Sequence, residues 1–166
     1  RRAHVLAARA LDALGRRAEA ARRWTAALDA PGPPAPDLYV ARSRSVLARG
    51  PEHAASALAG LDQGIAKLGQ LPQLQLPAVE AELVRGDTDA ALARLAALAA
   101  ASKRKEAWHL RRAEILLAAG RRAEACTALH EAREALARLS AKRRSTAAMV
   151  ELAARVDELL QRVEAR

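Results

Sequence analysis

The stretch that decides the fold is Gly86-Asp87-Thr88-Asp89-Ala90-Ala91-Leu92-Ala93-Arg94-Leu95. It has counterparts at Gly15 to Trp24, Gly50 to Ala59 and Gly120 to Leu129. Each glycine is followed five residues on by an alanine (Ala20, Ala55, Ala91, Ala125). Four residues further, three of the four stretches carry a larger apolar residue. The glycines stand 35, 36 and 34 residues apart. A supersecondary unit recurring at that period predicts stacked helical hairpins, each burying its apolar face against the next.

Composition agrees. Apolar residues make up 51% of the chain but aromatics only 2%, so the apolar mass is alanine and leucine, both strong helix formers. No strict alternation or β-branched run predicts a strand. The expectation is an all-α superhelix of about four hairpins with a capping helix at the end, read as a single domain over residues 1–166. The units fall at about 1–35, 36–71, 72–105 and 106–139, with the capping helix at about 145–164.

The single cysteine, Cys126, excludes an internal disulfide and a cysteine-based metal cluster. No apolar run is long enough to span a bilayer. The chain opens on Arg1 inside a helical pattern, with neither an initiator methionine nor a signal peptide, and so reads as a piece of a longer polypeptide. Localisation is left open between bacterial cytoplasm and periplasm. The bacterial source is itself an expectation, from the alanine–arginine bias of a GC-rich genome. Net charge is +9, which favours anionic partners. The competing reading is that the arginine runs are solvated helix faces, interleaved with Glu19, Glu106, Glu114, Glu124 and Glu134.

Along the chain, a first helix to Leu14 buries Leu6 or Ala7, Ala10, Leu11 and Leu14, and Gly15 closes it. The return helix carries Ala20, Trp24 and Ala27 until Pro31-Gly32-Pro33-Pro34-Ala35-Pro36 breaks it. Asp37 is expected to cap the next helix, and Pro51 to open its partner, which continues past Ala54, Ala55, Leu58, Leu61 and Ile65 to Leu68. Gly60 and Gly64 either weaken that helix or let a neighbour come close. The helix after Gly69 is read either as starting at Pro72 with a kink or as starting only near Pro77 and running short to Arg85, with an irregular first turn expected. Asp87 or Thr88 caps the helix that follows, and Ser102 caps the fourth unit. The final helix, from about Ser145 to Glu164, places Met149, Leu152, Val156, Leu159, Leu160 and Val163 at helical spacing.

Each unit resembles a tetratricopeptide repeat. The small residue of the first helix, the turn glycine, and the alanine and bulky residue of the second helix fall on Ala8, Gly15, Ala20, Trp24 and Ala27 in the first unit. In the third they fall on Gly86, Ala91, Leu95 and Leu98, and in the fourth on Ala113, Gly120, Ala125, Leu129 and Ala132. The second unit departs, with Ser43 and Ala59 at signature places. The resemblance covers residues 1–139 and implies a groove, lined by first helices, that binds a peptide or helix. Carried over by register, its lining is Arg2, Val5, Arg9 and Asp12; Asp37, Val40, Arg44 and Leu47; Gln73, Leu76, Glu80 and Leu83; and Ala107, Leu110, Glu114 and Leu117. An apolar stripe (Val5, Val40, Leu76, Leu110) would run beside a row that is basic at Arg9 and Arg44 and acidic at Glu80 and Glu114. The competing reading is that these residues only pack between neighbouring first helices. The lysine-and-asparagine carboxylate clamp of some family members is absent, which argues against a co-chaperone role.

The expected function is therefore non-enzymatic: a scaffold for a protein or peptide partner, with no cofactor and no metal. His4, His53, His109 and His130 lack the paired spacing of zinc proteases, Asp87 and Asp89 read as cap and first turn, and Cys126 has no evident base. Trp24 and Trp108 read as packing residues. RNA or another polyanion is the alternative ligand, since pentatricopeptide arrays share the period, but stacking aromatics are scarce and nucleic acid is the less expected partner. Self-association through the open N-terminal repeat face is a further expectation.

Overall fold

The computed structural model describes residues 1–33 and 35–165. Among these there are ten α-helices, one 3-10 turn and no strand. The helices are α1 (Arg2–Ala13), α2 (Arg17–Asp29), α3 (Pro36–Leu47), α4 (Ala54–Leu68), α5 (Pro72–Arg85), α6 (Thr88–Ala101), α7 (Glu106–Ala118), α8 (Arg122–Ala137), α9 (Ala141–Arg144) and α10 (Ala147–Glu164). The 3-10 turn, Pro51–His53, leads into α4. The architecture is an all-α helical repeat. Contacts gather into two compact units, residues 1–91 and 92–166, and α6 runs across the division.

The turn glycines show why the period exists. Gly15, Gly86 and Gly120 sit at φ 74°, 84° and 75°, the left-handed region that costs glycine nothing. Each closes its helix with the same pair of bonds. The glycine N–H donates to the carbonyl three residues back: Gly15 to Asp12, Gly86 to Leu83, Gly120 to Leu117. The next residue's N–H donates five back: Arg16 to Leu11 at 2.9 Å, Asp87 to Glu82 at 2.9 Å, Arg121 to Leu116 at 2.8 Å. This is the Schellman closure, which satisfies carbonyls the helix end would otherwise leave bare.

Gly50 is the exception, and Pro51 is the cause. Proline has no N–H, so the five-back bond cannot form. Gly50 instead adopts φ 140°, ψ 161°, and the chain makes its 3-10 turn with the His53 N–H on the Gly50 carbonyl. The buried face of the return helix then falls one residue early relative to its counterparts. Ala20, Ala91 and Ala125 are fully buried, but in the second unit the buried alanine is Ala54, and Ala55 is exposed. The bulky partner is Leu58, not Ala59, and the next buried position is Leu61. With that shift all four return helices carry a buried small residue, a buried bulky residue four on (Trp24, Leu58, Leu95, Leu129), and another buried residue three beyond (Ala27, Leu61, Leu98, Ala132).

In the unit of residues 1–91, α1 packs on α2, α2 on α3, α3 on α4, α4 on α5, and α3 also meets α5. Ala8, Ala20, Trp24, Ala27 and Leu38 form one core cluster. Tyr39, Leu58, Leu61, Ile65, Leu74, Ala78 and Ala81 form the next. Gly60 and Gly64 serve close approach: a Cβ at Gly64 would lie 2.8 Å from the Tyr39 ring, and one at Gly60 would lie 2.5 Å from the Arg42 guanidinium. Asp12 ties three helices together. It accepts hydrogen bonds from Trp24 Nε1 of α2 at 2.8 Å, from Ser45 Oγ of α3 at 2.8 Å and from Arg17 at 3.1 Å. Burial alone would raise the Asp12 pKa, but these three donors together hold it below the usual carboxylate value.

In the unit of residues 92–166, α7 packs on α8, and α10 packs on α8 and touches α7. The core joins Ala113, Leu116, Leu129 and Leu136 to Met149, Val156, Leu159, Leu160 and Val163 of α10. Burying five large apolar side chains at about 1.5–3 kcal/mol each makes α10 part of the core rather than an appendage.

Several expected helix starts differ. α5 is helical from Pro72 with Pro77 inside it, rather than opening on an irregular turn. Pro72 suits the first position, and Pro77 deprives only the carbonyl of the exposed Gln73, four residues back. Asp37 lies inside the first turn of α3, whose preceding residue is Ala35. Between Asp87 and Thr88, Asp87 is the cap, its Oδ1 accepting the Ala90 N–H at 3.1 Å. Ser102 does not cap α7, which begins after Lys105. Its hydroxyl accepts the Arg104 N–H at 3.1 Å and donates to the Arg104 carbonyl at 2.8 Å, closing the linker turn. The final helix begins at Ala147, after the short α9. α2 ends at Asp29, ahead of the proline run, of which Pro34 lies outside the described residues.

Candidate functional site

Helical spacing puts Asp37, Val40, Arg44 and Leu47 on one face of α3, and Gln73, Leu76 and Glu80 on one face of α5. Where α3 meets α5 these two rows border a cleft of about 620 Å³, completed by Ala41, Ser43 and Pro77. Val40 and Leu47 also lean on the Tyr39–Leu61–Leu74 core, so the apolar side of the cleft is backed by packed residues. Leu76 is 37% exposed, a large apolar side chain left open to solvent. Arg44 rises from α3 and Glu80 from α5, giving the two walls opposite charge. Ser43, on the cleft lining, is 2% exposed, and its Oγ has no hydrogen-bond partner among the described residues. An unsatisfied buried hydroxyl costs free energy until something bonds it.

The other residues expected on this face go elsewhere. On α1, Val5 packs against the Ala8–Trp24–Leu38 cluster, Arg9 is exposed away from the cleft lining, and Asp12 is the tie described above. Leu83 is half-buried and outside the cleft lining. Leu110, Glu114 and Leu117 face the chain's own α10. Leu110 borders a second cleft with Ala148, Glu151, Leu152, Arg155 and Glu158. Glu114 pairs with Arg155 at 3.6 Å and with Arg111 at 3.5 Å. Leu117 sits with Gly120, Arg122, Arg162 and Val163, where Arg122 donates to the Val163 carbonyl.

Trp24 is buried at 4%, and Trp108 is half-buried. Asp87 is held below its ordinary pKa by the Ala90 N–H and by Arg85.

Sequence reasoning missed one constellation. Cys126 and His130, one turn apart on α8, meet Glu164 at the end of α10, with donor atoms within 4.8 Å of one another. Only the i, i+4 spacing of Cys126 and His130 was visible beforehand. His130 Nε2 lies 3.5 Å from Glu164 Oε1, and Arg133 approaches Nδ1 at 2.9 Å. Arginine can only donate, so Nδ1 accepts and the ring proton of the neutral form sits on Nε2, toward Glu164. A metal at Nε2 would have to displace both that proton and the Arg133 bond. The trio reads as a polar bridge from α8 to α10. It also missed Ser43, read only as a small signature residue, although Ser43 stands seven residues before Gly50 just as Ala8 and Ala113 precede theirs.

No described helix is long and apolar enough to cross a membrane. The chain matches no family model, no curated protein and no solved structure.

Proposed function

We propose that this chain is a non-catalytic binding module of the tetratricopeptide kind, and that the cleft between α3 and α5 holds a short segment of a protein partner. The observation that carries the reading is the cleft itself: the exposed Leu76 and the part-buried Val40 and Leu47 between walls of opposite charge. A segment with one or two apolar anchors, an acidic residue toward Arg44 and a basic residue toward Glu80 matches that surface. The repeat spacing supports the family assignment, and the one-residue shift at Pro51 accounts for the unit that fits it worst.

The test is a display selection of random twelve-residue peptides on the whole chain, followed by titration of the enriched peptides. Arg44→Glu and Leu76→Asp change exposed positions and leave the core intact, so both should weaken binding about tenfold or more if a charged contact and an anchor are lost. Equal affinity for these variants and the parent would refute the assignment.

A further inference from the structure

The arginines of this chain fall into two groups. Some are answered locally: Arg16 by Glu19 at 2.6 Å, Arg104 by Glu106 at 2.8 Å, Arg121 by Glu124 at 2.7 Å, Arg138 by Glu134 at 3.2 Å. Others form no ion pair with a described residue, and three of these stand around a single cleft. Arg22, Arg42 and Arg49 border a space of about 580 Å³ between α2, α3 and α4, and none forms an ion pair with a described residue. Arg42 is the informative one. Its guanidinium is half-buried and lies over Gly60; it donates to the Gln63 carbonyl at 3.1 Å, stands 5.7 Å from the Tyr39 ring, and feels the charge of Asp29 without forming an ion pair with it. A half-buried cation with no carboxylate in direct contact keeps guanidinium donors open for an anion to complete.

We infer that this cleft binds a small molecule bearing a multiply charged phosphoryl group, with Arg42 at its base and Arg22 and Arg49 closing on it from the rim. Planar guanidinium forks match phosphoryl oxygens two at a time. Ser56 supplies a hydroxyl donor at the lining, whereas Thr25 already donates to the Ala21 carbonyl at 3.1 Å and can only accept. The cleft offers no open aromatic face for stacking bases, since the Tyr39 ring is buried beneath Gly64 and Arg42. That favours a compact phosphorylated ligand over single-stranded nucleic acid. Residues 42 and 46 fall on a different face of α3 from 40, 44 and 47, so this site stands or falls independently of the peptide cleft.

Titration calorimetry of inorganic pyrophosphate into the whole chain tests the inference. The expected result is saturable one-site binding, weakened about tenfold or more by Arg42→Gln and by Arg22→Gln plus Arg49→Gln. Arg9→Gln plus Arg138→Gln removes the same charge elsewhere and should leave binding within about twofold. Circular dichroism checks that Arg42→Gln is folded; if it is not, the pair of exposed rim variants carries the test. Loss of equal size in the control pair would reveal a diffuse charge effect and overturn the inference. So would the absence of saturable binding at low salt, or binding of an RNA homopolymer without binding of pyrophosphate.

Discussion

Replacing Asp12 by asparagine should be among the most damaging single-atom changes available in this chain. The carboxylate receives three donors from three places: the indole of Trp24, the hydroxyl of Ser45 and the guanidinium of Arg17. Hydrogen bonds to an ionised acceptor contribute about 1.5–3 kcal/mol each. The gross sum must be cut, because burial opposes the charge and Arg17 is 40% exposed, where solvent screens its share. An asparagine keeps one acceptor oxygen and turns an amide toward the remaining donors. The net loss should be about 2 kcal/mol at neutral pH. The same contribution is pH-dependent. The folded-state pKa lies below the ordinary value, so the stabilisation is complete above the unfolded value of about 3.9 and is lost as pH falls through the folded one. Urea unfolding, followed by tryptophan fluorescence at neutral pH and again near pH 3, measures both effects. The parent and Asp12→Asn should differ by about 2 kcal/mol at neutral pH, and the gap should narrow in acid. A gap of the same size at both pH values would show that the destabilisation does not come from the charge, and the account of the tie would be wrong.

Three further outcomes follow from the packing. Ala54→Leu should destabilise by about 1–3 kcal/mol through overpacking while Ala55→Leu stays within about 0.5 kcal/mol, measured by the same urea titration; the reverse ranking would restore the unshifted register. Gly64→Ala places a methyl 2.8 Å from the Tyr39 ring, and despite alanine's better helix propensity should lower the thermal midpoint by several degrees, in a calorimetric scan. Leu159→Ala in α10, at 1% exposure, should cost about 2–5 kcal/mol, whereas Val150→Ala, at 55%, should cost little; equal costs would mean α10 is not docked as described.

What the sequence disclosed was whatever depends on neighbours along the chain. Glycine five residues ahead of a buried alanine fixes three turns because the closure uses only local backbone groups. Asp87 before Thr88 marks a cap for the same reason. Pro51 was equally visible, but its effect needed the missing N–H to be set against a bond that the other turns make, and without that comparison Ala55 was the natural choice. Residues whose placement depends on distant partners were harder to read. The Cys126–His130 pair says nothing of Glu164, thirty-odd residues away. The α3 and α5 rows of the cleft were legible from register, since adjacent first helices repeat the same geometry. The corresponding rows on α1 and α7 were not, because Val5 is taken up by the Trp24 core and Leu110 and Glu114 by α10. Nothing local marks Arg42 as lacking a carboxylate, since charge pairing is settled across helices.

The tight connection at Gly50 and Pro51 also bears on how such units should be aligned. From Gly50 to the buried alanine the chain is one residue shorter than at the other three turns, yet Leu58 and Leu61 keep the spacing of their counterparts, so the 3-10 turn absorbs the difference. Comparisons keyed to a rigid spacing would set the outward-pointing Ala55 against the inward Ala20 and score the unit as degenerate, while a one-residue gap at the bend brings all four into line.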